Sequence, residues 1–439
     1  MLLSLLVLLP TPARAEACQP GGTDLVAMLG DLEQAWEAGQ QGDGSQPPPP
    51  PPIRPTLVAA APASAPASEP AADDMAWFRA VERQEGSTRS HMSFLDRGLQ
   101  GSRWADDVVA ITSRLASRPR GSTYRSDDAP MPATGALPDQ VDGLLWLHED
   151  VTHASLAVMT WSPSGAVHAR WYGRADREQE QYWSATKHLQ ALTAATKVPG
   201  ADLGELRLRD RDGSSSTSVQ ELLQDIVSYD AGVGRSNGGA KTLSAFTGPL
   251  EREGLVEAWT GGDVTFRGGY GFGPIYPEPE LASADGELLA PAFPGAWSAG
   301  PNQLTAYDLT RVMAMAAWNR QLEPGQQLDR LSQASVDSVL EAMGEDSARY
   351  VDAALERAGL SERVSEVVVV SKLGHGVRSA TGLSETTYTG ALQFTDTETG
   401  LRHAVAFTFR GVHADPVELD ARLAAETTGL VRRLVAGQL

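Results

Sequence analysis

Apolar positions fall into periodic runs separated by polar or Pro/Gly-rich breaks along the 439 residues. The first run, "LLSLLVLL" (2–9), is too short to span a bilayer, and "ARA" (13–15) follows it, so the pattern predicts an export signal over 1–15. Residues 16–74 show no period. "QPPPPPPIRP" (46–55) and "AAAPASAPASEPAADD" (59–74) predict an extended tether, because such composition buries too little apolar surface to fold. A helical period then runs through Trp77, Phe78 and Val81, next Phe94, Leu95 and Leu99, then Val108, Val109, Ile111 and Leu115. This stretch reads either as a small helical subdomain or as helices lying on the main body. Residues 119–140 read as linker, so 75–140 form one segment of helices and linker.

From 141 to 439 the pattern is that of a compact domain. Two alternating runs in "ASLAVMTWSPSGAVHARWYG" (154–173) flank "SPSG" and predict a hairpin. Helical periods follow at 184–197, at "SVQELLQDIV" (218–227) and at "LTAYDLTRVMAMAAWN" (304–319), the last with Thr305 as its cap. "SEVVVVSKLG" (365–374) predicts a buried strand. "YTGALQFTDTETGLRHAVAFTFRG" (388–411) predicts a hairpin turning at "DTETG", and "DARLAAETTGLVRRLVAG" (420–437) a closing helix. Two strands, a helical middle, three strands and a final helix predict an α/β (α+β) fold. Its antiparallel sheet is fed by both ends of the chain, flanked by helices, and joined by a helical lobe.

Charge and cysteine content narrow the function. The balance is 36 − 56 = −20, which excludes a nucleic-acid binder and disfavours electrostatic docking on anionic membranes. The single cysteine, Cys18, leaves no internal disulfide and no cysteine metal site. Lipidation at Cys18, tethering the N-terminus to a membrane, is the alternative to cleavage after Ala15, although a lipoprotein signal would carry Leu at position 15. The export signal places the protein in the periplasm or outside the cell. His148-Glu149 and His153 are spaced one residue too far for a zinc helix, and neither metal nor cofactor is expected.

The candidate chemistry lies in "QYWSATKHLQALTAATK" (181–197). Ser184 is either an N-cap or a nucleophile with Lys187 one turn on. A helix start offers unpaired N–H groups where an oxyanion would form. Far downstream, Lys372-Leu373-Gly374 ends the Val-rich strand. Between them, "IVSYDAGVGRSNGGAKTL" (226–243) contains two hydroxyl candidates, Ser228-Tyr229-Asp230 and Ser236-Asn237, and the helix expected after "SN" favours the second.

In these motifs and their order, residues 150–437 resemble the penicillin-binding protein and β-lactamase superfamily of active-site serine hydrolases, whose signature is Ser-x-x-Lys, Ser/Tyr-x-Asn and Lys-Thr/Ser-Gly. "NQLTAYDLTRVM" (302–313) is similar to a helix start of the class A branch. The resemblance implies that Ser184 forms an acyl-enzyme and that Lys187, its amine neutral through desolvation, takes the proton. It further implies that Ser236 relays a proton, with Ser228, Tyr229 or Asp230 as alternatives. Lys372 would orient that hydroxyl and attract a substrate carboxylate, with Asn237, Gly374 and His375 lining the substrate site. The backbone N–H groups of Ser184 and His375 would form the oxyanion hole. "EPELA" (278–282) resembles the segment that supplies a deacylating base, which would make Glu278 that base. Three departures stand out. No residue separates Ser236 from Asn237, Ala282 replaces an Asn, and Leu373 replaces a hydroxyl donor, which His375 and Arg378 would have to replace. The implied substrate is a small molecule or a peptidoglycan-like D-amino-acid peptide or β-lactam amide. The alternatives are an esterase or amidase of the same fold, and a non-catalytic binding or sensor module.

Overall fold

The computed structural model describes residues 72–84, 92–99, 102–141, 143–228, 233–295, 299–378 and 380–439. The signal 1–15, Cys18 and the tether up to residue 71, together with Tyr229 and Asp230, lie outside the described residues. The first elements among the described residues are α1 (Ala72–Gln84), α2 (Ile111–Ala116) and the short β1 (Ala129–Pro130). The hairpin β2 (Val151–Trp161) and β3 (Val167–Arg174) follows, then β4 (Glu180–Gln181) and α3 (Lys187–Ala195). The middle of the chain holds β5 (Arg207–Asp210), β6 (Ser216–Ser218), α4 (Val219–Ser228), α5 (Val233–Thr247) and α6 (Pro249–Thr260). Short strands β7 (Thr265–Phe266), β8 (Pro279–Ala282), β9 (Leu288–Ala290) and β10 (Asn302–Leu304) lead to α7 (Ala306–Ala317), α8 (Gln333–Gly344) and α9 (Tyr350–Arg357). Three long strands, β11 (Val364–Arg378), β12 (Leu383–Asp396) and β13 (Arg402–His413), and the helix α10 (Pro416–Val435) complete the chain.

The main sheet is antiparallel, in the order β1-β3-β2-β13-β12-β11. Successive side chains of a strand point to opposite faces, and here both faces are covered. Val368 and Val370 of β11 enter one core with Leu189, Leu222, Val312 and Val339 of the helical lobe. Val367, Val369 and Leu373 enter the other, with Leu355 of α9 and Leu423 and Val431 of α10. Full burial of each such side chain is worth about 1.5–3 kcal/mol, so this alternation holds helices against both sides of the sheet. The α/β (α+β) expectation of an antiparallel sheet with flanking helices and a helical lobe describes this architecture.

Several local expectations also match. The turn of the first hairpin lies between Trp161 and Val167, at "SPSG". Thr305 caps α7 in a reciprocal capping box with Asp308. The 75–118 helices lie on the main body. Helix α1 is held there by Asp74 with Arg357 at 2.7 Å and by Arg79 Nε with Glu418 at 2.7 Å. It starts at Ala72, inside the segment read as tether, with Asp73 and Asp74 favouring the positive end of the helix.

Residues 119–140 do not hang free. Ala129 and Pro130 pair with Ala169 and His168, Met131 is buried, and Arg311 Nη2 donates to the Pro132 carbonyl at 2.7 Å. Their Pro- and Ser-rich composition suits irregular backbone, and long-range bonds rather than periodicity anchor it. No described helix is long and apolar enough to cross a membrane.

Candidate active site

Ser184 does not cap a helix. It lies inside a 3₁₀ turn, Trp183–Thr186, and α3 starts only at Lys187, with Thr186 rather than Ser184 at its N-cap position. In a 3₁₀ turn, side chains at i and i+3 eclipse one another. The Lys187 N–H donates to the Ser184 carbonyl, so the two side chains project from one side of the same turn. Ser184 is 2% exposed and Lys187 is fully buried.

The turn is strained and clamped. Trp183, just before the serine, has φ 51°, a left-handed conformation that for a bulky residue costs of order 1–3 kcal/mol. Its indole Nε1 donates to Glu385 Oε2 at 3.0 Å, and its carbonyl accepts from Thr186 Oγ1 at 2.9 Å. Gly374 of β11 closes the other side. A methyl group there would lie 2.5 Å from the Tyr182 carbonyl oxygen, 2.6 Å from the Ala185 nitrogen and 3.0 Å from the Ser184 nitrogen. Only glycine lets the strand touch the backbone of the turn, and this contact sets the Ser184 amide beside the head of the strand.

Lys187 Nζ donates to Ser236 Oγ at 3.1 Å and to Asn237 Oδ1. Both acceptors are buried on α5, and adjacent positions serve because the amine reaches between them. Ser228 is occupied elsewhere, its Oγ bonding back to the Gln224 carbonyl at 2.7 Å within α4.

Lys372 is fully buried, 3.7 Å from Asp346 Oδ1 and 3.3 Å from the Val227 carbonyl. Burial pushes its pKa down to about 8 against the opposing attraction of Asp346. Burial also raises the Asp346 carboxyl, even though Lys372 favours its charge. A lysine without exposed surface offers no charge to a substrate carboxylate at the surface.

Leu373 packs into the core on the α9–α10 side of the sheet. His375 Nδ1 lies 2.8 Å from Thr386 Oγ1. Arg378 is taken up by Glu180 Oε2 at 2.7 Å and Glu385 Oε1 at 3.0 Å. His375 and Arg378, the residues expected to replace the missing hydroxyl, are thus each bonded within the protein. Glu278 is not brought to the cluster. It is 61% exposed and lies 3.5 Å from Arg211, beside the small sheet formed by β5, β6, β8 and β9. The structure thus places Glu278, the residue expected to act as deacylating base, on the outer surface beside Arg211.

The sequence reading missed Tyr270. Its hydroxyl is 2.8 Å from Thr186 Oγ1 and 3.2 Å from Gln190 Nε2, and its ring centre is 5.6 Å from Lys187 Nζ. Asn302 fixes the approach by accepting from the Gly268 N–H at 2.7 Å and donating to the Gly269 carbonyl at 2.9 Å. The repeated glycines of "RGGYGFG" (267–273) were the available signal. Among the described residues, no three His, Cys, Asp or Glu side chains gather as metal ligands.

Two histidines beside the cluster make acid sensitivity predictable. His188 donates from Nδ1 to the Ala185 carbonyl at 2.8 Å, and burial pushes both His188 and His375 down to about 4. An unfolded histidine protonates near ~6.5, so the unfolded chain binds more protons below that pH. Stability is thus complete above about pH 6.5 and is lost as pH falls toward about 4, by about 3 kcal/mol per histidine. Melting temperature followed from pH 7 to 4.5 should fall less steeply for His375→Gln than for the native protein. Parallel curves would refute the assignment.

Neither a protein-family model nor a curated protein matches the sequence. Among solved structures, the chain is similar to a class A β-lactamase from Bacteroides cellulosilyticus DSM 14838, at 13% identity and TM-score 0.41, covering 65% of this chain and 93% of that one. It is similar to the chromosome-encoded β-lactamase of Vibrio parahaemolyticus at 12% identity and TM-score 0.38, covering 64% and 94%. An ancestral (GNCA) class A β-lactamase gives 19% identity and TM-score 0.39, covering 66% and 96%.

Proposed function

We propose that the protein is an exported serine hydrolase that works through an acyl-enzyme on Ser184. The observation that supports this most is the buried Lys187 amine bonded to Ser236 and Asn237, three residues after Ser184 in a strained turn against Gly374. Ser184 Oγ attacks the carbonyl carbon while its proton passes to Lys187 Nζ, and the Oγ–C bond forms as the carbonyl π pair moves onto oxygen. The backbone N–H groups of Ser184 and His375 receive that oxyanion. Collapse expels the leaving group, which takes its proton from Lys187 through Ser236 Oγ. Water then attacks the ester carbon and gives a proton to Lys187 Nζ, which passes it to Ser184 Oγ as the Oγ–C bond breaks, releasing the acid and restoring the serine. The substrate is a D-amino-acid peptide or β-lactam amide.

A second reading, an esterase or amidase acting on uncharged acyl compounds, is favoured by the site's cations. Leu373 is in the core, Arg378 is paired with two carboxylates and Lys372 is buried beside Asp346. A charge-assisted contact to a carboxylate is worth about 1.5–3 kcal/mol, so a site without one gives up about tenfold or more in preference for carboxylated substrates.

The test is intact mass against time with a fluorescent penicillin and with a neutral aryl ester, for the native protein and Ser184→Ala. A penicillin adduct formed faster than the ester adduct, and lost in Ser184→Ala, supports the amide reading. Ester acylation at least about tenfold faster supports the second reading. Penicillin and ester both failing to react removes the enzyme readings and leaves a binding module.

A further inference from the structure

Four charged side chains, one before the serine and three far after it in the chain, converge on its turn. Arg410 of β13 donates from Nη2 to Glu385 Oε1 at 2.8 Å and to Glu180 Oε2 at 3.3 Å. Its Nε donates to the Gln181 carbonyl at 3.3 Å, three residues before Ser184. Arg378 joins the same two carboxylates from β11. Glu385 divides its oxygens: Oε1 holds the arginines, while Oε2 accepts from Trp183 Nε1 at 3.0 Å. The Arg410 and Glu385 side chains are each 2% exposed. A buried ion pair is weak evidence of stabilisation by itself. A buried pair that also grips a left-handed tryptophan beside a nucleophile has a geometric task.

We propose that Glu385, fixed by Arg410 and Arg378, is a positioning residue that holds Trp183 at positive φ and so aims the Ser184 amide and hydroxyl toward the substrate. The proposal rests on Ser184 being the nucleophile. Rotating Trp183 out of the left-handed region would redirect the peptide plane that carries the Ser184 N–H, removing one of the two oxyanion donors. Strain kept beside a reacting group needs surroundings that over-determine it. Here the indole bond, the Gln181 carbonyl bond and the Gly374 contact enclose residues 181–185 from three directions. Because Glu385 touches no reacting atom, its effect belongs to the maximal rate of acylation and not to ligand affinity.

The experiment measures labelling of Ser184 by a fluorophosphonate, resolved into a maximal rate and a half-saturating concentration. Native protein, Trp183→Phe, Glu385→Ala, Glu385→Gln and Ser184→Ala are compared, with melting temperature followed in parallel. Trp183→Phe removes the N–H donor together with part of a buried ring, so the melting temperature separates loss of the bond from loss of packing. Trp183→Phe and Glu385→Ala should lower the maximal rate about tenfold to a hundredfold, with half-saturation changed less than about threefold. Glu385→Gln keeps an oxygen for the indole and should recover most of the rate, a rescue that general destabilisation would not produce. Native rates in both Trp183→Phe and Glu385→Ala, with labelling still lost in Ser184→Ala, overturn the brace and leave the nucleophile in place. Native protein that neither the fluorophosphonate, the penicillin nor the aryl ester labels removes both proposals.

Discussion

Ser184→Ala is expected to end covalent acylation altogether, with no adduct in the mass spectrum after hours in excess fluorescent penicillin or aryl ester. Deleting a nucleophile in a unit of cooperating residues costs about 10⁶ in rate elsewhere, and alanine has no atom from which the Oγ–C bond could form. Lys187→Ala should retain the serine yet lower acylation by about 10²–10⁴, the usual contribution of a positioned base. The two variants separate the nucleophile from its activator. Folding is not the expected cause of loss in Ser184→Ala, since only a hydroxyl is removed. A melting temperature unchanged by more than a few degrees is the control. An adduct that persists in Ser184→Ala and maps to another residue would overturn the assignment.

Gly374→Ala should be the most damaging single-carbon addition in the groove. The new methyl would meet three main-chain atoms, of Tyr182, Ala185 and Ser184, at 2.5–3.0 Å. Main-chain atoms have no rotamer by which to retreat, so either β11 or the serine turn must move. Overpacking of this kind costs about 1–3 kcal/mol, and a shift of about 1 Å at a reacting group costs about 10² in rate. Gly254 on α6 is the matched control: it is exposed, has no neighbour within 4 Å of an added methyl, and is helical. Gly254→Ala should be neutral or slightly stabilising, since alanine favours helix over glycine by about 1 kcal/mol. Circular dichroism melts and acylation rates on the two variants check the contrast. Full activity in Gly374→Ala would mean that the strand and the turn do not need their close contact.

Periodicity and punctuation were enough for the elements. The alternation around "SPSG" and "DTETG", the Thr305-x-x-Asp308 cap and the spacing of 420–437 each act within a few residues, so the chain alone determines the two hairpins, α7 and α10. It also determined the spacing of Ser184 and Lys187, but the helix expected after Ser236 and Asn237 begins before them, at Val233, and so carries both within α5 toward Lys187. Tertiary structure decided everything that depends on two distant segments touching. That Ser184 sits in a 3₁₀ turn rather than capping a helix, and that Gly374, 190 positions later, packs against that turn, is visible only in the folded chain. Arg378 faces Glu180 and Glu385 because antiparallel pairing brings the end of β11 beside the start of β12. Glu278 resembled a base in its local motif, yet Arg211 and solvent hold it at the surface. Local patterns encode which backbone forms. Which charges neutralise one another, and which glycine admits a close approach, is encoded only in the packing that joins residues far apart along the chain.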